Sequence, residues 1–156
     1  PSIEPVLQGL HNTYYAMRHG ESEANVRGLI VSNPLRGTME FGLSDEGRAQ
    51  VLRSAAALPA NGLDNPCLLA QILRARQTAD LVHEALGLGQ PVVYTTSLRE
   101  RFFGEFDGGP DSHYASVWSR DALDPSHTDH GVESALAVVA RGLSCVHQAE
   151  RRWQGR

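Results

Sequence analysis

Apolar residues fall along the chain in two patterns, short runs and stripes spaced by three and four, and the two alternate. The first run, Thr13 to Met17, stops abruptly at Arg18-His19-Gly20 and predicts a buried strand whose carboxyl end opens into a loop. Val26 to Phe41, interrupted by Gly28, Asn33-Pro34 and Gly37, is too broken for a regular element and predicts a loop near that point. Ser44 is a good N-cap and Asp45 and Glu46 suit the positive end of a helix. Val51, Leu52, Ala55, Ala56 and Leu58 give that helix an apolar face before Pro59 stops it.

A turn at Asn61 to Asn65 leads into a second short strand, Pro66 to Ala70. Ile72, Ala75, Ala79, Val82 and Leu86 then recur at helical spacing and predict an amphipathic helix ended by Gly87. Pro91 to Thr95, rich in β-branched residues, predicts a third strand. Asp111 to Asp121 predicts a short helix and Asp124 to Gly131 a polar loop. The stripe Val132, Leu136, Val139, Leu143, Val146 and Trp153 predicts a long last helix ending near Gly155. With 156 residues and 41% hydrophobic content, one core and one domain over 1–156 are expected, with residues 1–12 a loosely held lead-in.

Composition narrows the function classes. A net charge of -4 argues against a nucleic-acid surface. Cys67 and Cys145 lie far apart in apolar segments and read as buried thiols of a reducing compartment, not as a disulfide framework. No stretch approaches membrane-spanning length and the first ten residues lack the pattern of a signal peptide, so a soluble cytoplasmic protein is expected. All 14 basic residues are arginine, which coding bias explains better than function. Only individual arginines carry weight.

Arg18-His19-Gly20 combines an anion fork, a nucleophile or base, and a backbone free to turn sharply, at the strand end where open α/β sheets bind ligands. Ser22 and Asn25, just beyond, can donate to an anion. Arg74 falls in the first turn of its helix, where the dipole disfavours a cation, so a bound phosphate is one reason for its presence. Arg76 stands four before Asp80 and reads as a surface ion pair worth about 0.3 kcal/mol. Glu100 sits among Arg99, Arg101, Phe102 and Phe103, a setting that can desolvate a carboxyl; taken alone, a surface pair with Arg99 or Arg101 is the better explanation. His127 and His130 have no third ligand at a telling spacing, and no metal is expected.

Four ordered blocks carry a resemblance: Arg18-His19-Gly20-Glu21-Ser22 with Asn25; Arg74-Ala75-Arg76-Gln77-Thr78-Ala79; Leu98-Arg99-Glu100-Arg101 with Phe103-Gly104; and Gly131-Val132-Glu133-Ser134. From about Thr13 to Val146 the chain resembles the histidine phosphatase superfamily, which includes the cofactor-dependent phosphoglycerate mutases. The resemblance implies a three-layer α/β fold, a mostly parallel sheet with helices on both faces. It also implies a histidine acid-type phosphatase in which His19 forms a phosphohistidine. Arg18 and Arg74 would hold the phosphate oxygens, at roughly 3 kcal/mol for a lost donor. Glu100 would move the proton and Asn25 and Ser22 would line the pocket. The implied partner is a small phosphorylated metabolite or a phosphate ion, with no cofactor required.

One departure stands out. The family carries a second catalytic histidine on a His-Gly pair after an apolar strand, and His127, His130 and His147 do not match it. The expectation is a longer enzyme of which this sequence is a part, incomplete at its carboxyl end. A phosphate-binding relative without turnover, or another histidine in substitution, are the alternatives. Within the enzyme class, hydrolysis is favoured over mutase-type phosphotransfer because the segment Phe106 to His130 is short and acidic.

Overall fold

The computed structural model describes residues 9–37, 39–59, 63 and 66–153. The lead-in before Gly9, all but Leu63 of the turn at Asn61 to Asn65, and the helix end near Gly155 lie outside the described residues. Helix α1 (Glu23–Val26) opens on a capping box, with Ser22 Oγ accepting from the Asn25 amide and Asn25 Oδ1 accepting from the Ser22 amide. Helix α2 (Pro34–Gly37) is a single turn inside a segment that is otherwise loop. Helix α3 (Asp45–Ala57) starts where Ser44 Oγ accepts from Gly47 N at 3.0 Å. Helix α4 (Leu73–Leu86) ends at Gly87, whose φ of 59° is the left-handed geometry glycine adopts without strain.

Strands β1 (Leu69–Ala70) and β2 (Val93–Tyr94) pair in parallel, Leu69 opposite Val93, with α4 as the crossover that parallel pairing requires. The fold is α/β. Helices α3 and α4 pack against one another over a core of Leu43, Val51, Ala55 and Val82, with Leu68 and Leu86 at its edge. Val51 and Val82 are each 1% exposed, so each contributes roughly 1.5–3 kcal/mol through burial.

Helix α5 (His113–Leu123) belongs to a second core, built from Ile30, Phe103, Val117 and Val132. Asp107 clasps this core to the preceding loop, accepting from Ser32 N (2.7 Å), Ser32 Oγ (2.8 Å) and Asn33 N (2.8 Å). Burial pushes the Asp107 carboxyl up, but these bonds outweigh it and hold the carboxyl below its ordinary value. The last helix, α6 (Ala135–Arg152), is capped by Ser134 and begins three residues after Val132, which packs in the second core instead. Among the described residues no helix is long and apolar enough to cross a membrane.

Three expectations are corrected. Thr13 to Met17 is not a strand: Tyr14, Tyr15 and Met17 are 41%, 63% and 46% exposed, and no strand pairs with it among the described residues. A strand exists by its partner's ladder, and an apolar run does not carry the partner with it. Arg76 does not take Asp80; its guanidinium lies 4.4 Å from the centroid of the Tyr94 ring, and Tyr94 donates to Asp80 instead. Cys145 is buried as expected, but Cys67 is only half-buried.

Candidate active site

With no strand beneath it among the described residues, the Arg18-His19-Gly20 turn is held by the two helices beside it. Gly20 N donates to Thr78 Oγ1 on α4 at 3.3 Å, and Thr78 Oγ1 donates to Arg74 O at 2.8 Å. Glu21 N donates to Gln50 Oε1 on α3 at 3.0 Å, while Ser44 donates through N (3.0 Å) to Glu21 O and through Oγ (2.7 Å) to Glu21 Oε1. A Cβ on Gly20 would run into the Gly47 carbonyl, and one on Gly47 into the Glu21 backbone. Two glycines are what let the turn lie directly on α3.

This packing aims His19. Its Nδ1 lies 2.7 Å from Gly20 O, which can only accept, so Nδ1 carries the proton and Nε2 presents a lone pair. Arg74 Nε donates to that Nε2 at 3.0 Å. Burial lowers the His19 pKa, the cationic Arg74 and Arg18 lower it further, and the bond to Gly20 only partly opposes them. The imidazole is therefore neutral at pH 7, with its free electron pair facing a guanidinium.

Arg74 is 5% exposed and joins the groups of the site. Its Nη2 donates to Glu100 Oε2 at 3.1 Å and to Val31 O at 3.3 Å, and its Nη1 is buried without a hydrogen-bond partner among the described residues. Glu100 takes neither neighbouring side chain: its Oε1 accepts from Arg101 N at 2.9 Å, Arg99 pairs with Glu133, and Arg101 with Asp121. Arg18, His19, Ser22, Asn25, Arg74 and Glu100 all line one cavity of about 600 Å³. Ser22 is fully buried and donates its hydroxyl proton to Asn25 Oδ1 at 2.9 Å, which leaves Asn25 with its amide NH2 for other partners.

His127 and His130, for which no metal is expected, lie outside the cavity lining. His127 Nε2 sits 2.9 Å from Asp121 Oδ1, and His130 Nδ1 is 3.2 Å from Glu105 Oε2. Sequence reasoning missed Thr78, Gln50 and the far wall of the cavity, where Phe103, Tyr114 and Trp118 stand. The spacing of four between Tyr114 and Trp118 was the available signal for that wall.

A family model described as the histidine phosphatase superfamily (branch 1) matches residues 14–156. The chain belongs to the histidine phosphatase superfamily. Among relatives in that superfamily, a glucosyl-3-phosphoglycerate phosphatase of Mycolicibacterium vanbaalenii is 32% identical over 145 residues, covering 85% of this chain and 57% of the relative. A 2,3-bisphosphoglycerate-dependent phosphoglycerate mutase of Mycobacterium leprae is 36% identical over 103 residues, 65% of this chain and 40% of the mutase. The solved mycobacterial glucosyl-3-phosphoglycerate phosphatase complexed with VO3 superposes with a TM-score of 0.68 at 27% identity, over 86% of this chain and 65% of that one. The chain spans about half the length of the curated relatives it matches.

Proposed function

We propose that the protein is a phosphomonoester hydrolase that works through a phosphohistidine on His19. The observation that carries the reading is the neutral His19 ring, locked by Gly20 O with Nε2 turned toward the Arg74 guanidinium. In the reaction the Nε2 lone pair attacks phosphorus, a P–N bond forms, and the bond to the leaving oxygen breaks. Arg18 and Arg74 hold the phosphoryl oxygens, and the buried Nη1 of Arg74 gains an acceptor there. Asn25 adds a donor through its amide, and Ser22 shapes the pocket by fixing Asn25. Glu100 carries a proton to the leaving oxygen and takes one from the water that hydrolyses the phosphohistidine. The lowered pKa of His19 keeps the nucleophile neutral into mildly acidic solution, which suits an acid-type enzyme.

The identity to a phosphoglycerate mutase favours a second reading, in which the phosphoryl group passes to another hydroxyl instead of water. Incubation with phenyl phosphate followed by quenching tests both. An acid-labile phosphoryl group on the protein, absent in His19→Ala, is expected. Turnover that survives His19→Ala overturns the nucleophile. Phosphoryl transfer to added glycerate outpacing release of inorganic phosphate would favour the mutase.

A further inference from the structure

The cavity has two unlike sides. The floor is cationic and polar, with Arg18, His19 and Arg74, whereas the wall carried by α5 is aromatic. Tyr114 and Trp118, one turn apart, stack with centroids 5.3 Å apart and planes 7° from parallel, and Tyr114 meets Phe103 edge-on at 4.9 Å. Phe103 is buried, so the wall is braced from behind by the second core, while Trp118 remains 59% exposed where it borders the cavity. A braced, partly uncovered indole is a surface on which a flat group can stack.

Charge on this wall points the same way. Arg101 borders the cavity but is spent: Asp121 takes Nη1 and Nη2 at 2.6 and 2.8 Å, and Glu133 O takes Nε at 2.7 Å. Asp121 is itself held below the ordinary carboxylate range, by the Arg101 hydrogen bonds first, so this pair stays charged and closed on itself. Asp111, also on the wall, adds a negative charge. Among the described residues that line the cavity, a substrate bearing a second anionic group would find no unpaired guanidinium outside the floor and would face the Asp111 carboxylate.

We propose that the substrates are phosphomonoesters whose leaving group is uncharged and carries an aromatic ring, which stacks on Trp118 of the α5 wall. The proposal rests on the phosphatase reading of the floor and assigns the group on the other side of the ester oxygen. Phosphonates test it without depending on turnover. In NMR titrations of the whole protein, benzylphosphonate should bind about tenfold more tightly than methylphosphonate, and phosphonoacetate more weakly than either. Trp118→Ala should bring the benzyl-to-methyl ratio to within about twofold of one, and Trp118→Phe should restore most of it. Since Trp118 is more than half exposed, neither change threatens the core. Methylphosphonate binding with no gain from the ring, a ratio unmoved in Trp118→Ala, or phosphonoacetate binding as well as benzylphosphonate overturns this proposal alone. Failure of all three to bind overturns the phosphatase reading with it.

Discussion

His19 owes its role to neighbours that the residue itself does not announce. Because burial first, and then Arg74 and Arg18, lower its pKa, protonation of the imidazole occurs below the 6.5 of an ordinary one. The acid limb of kcat/KM attributable to His19 should accordingly lie below pH 6.5, and a limb at or above that value would contradict the burial of the ring. Arg74→Ala should lower kcat/KM by about 10²–10³-fold, as measured with phenyl phosphate, because one positioned donor to the phosphoryl group is lost. Thr78→Val should cost about 1–3 kcal/mol in urea denaturation by stranding the Gly20 amide. At this scale much was legible. Arg18, His19, Arg74 and Glu100, each singled out for its own chemistry, line one cavity, and the first-turn cation Arg74 hydrogen-bonds His19 and Glu100 there. Thr78 was not legible, since a threonine inside a helix reads the same whether its hydroxyl bonds only its own turn or also a distant loop.

Among the elements, the helices were read best, because stripes at helical spacing and caps such as Ser44 and Gly87 are local signals. The strands were read worst. β1 and β2 are two residues each, and Thr13 to Met17 has the composition of a strand without the ladder. What seats the Arg18-His19-Gly20 turn is instead the close approach of α3, which depends on Gly47. Gly47→Ala would place a methyl in the Glu21 backbone and should destabilise the fold by about 1–3 kcal/mol while weakening phosphate binding. Equal phosphate affinity in Gly47→Ala and the parent, by titration, would mean that the turn does not rely on α3.

Over the whole molecule, contacts between distant parts of the chain were the least legible. Glu150, near the end of α6, accepts from His11 N at 2.8 Å, Asn12 N at 3.1 Å and Tyr14 Oη at 2.7 Å, and Asn12 also donates to the Trp153 carbonyl. These bonds, the His11 amide first, hold its pKa down to about 2 from 4.5. Its contribution is present above pH 4.5 and is lost as pH falls toward 2, so residues 11–14 should become protease-sensitive across that window. Glu150→Gln should show the sensitivity already at neutral pH. No periodicity in the sequence connects residues 139 apart, whereas the four family blocks could be matched in order without knowing where they meet. The cavity joins two cores of independent make-up, the α3–α4 core beneath the phosphate floor and the α5 core behind the aromatic wall. On the proposed function, heredity could therefore treat the two separately: substitutions confined to α5 would redraw the diet of such an enzyme while its way of breaking the ester passed unaltered to descendants.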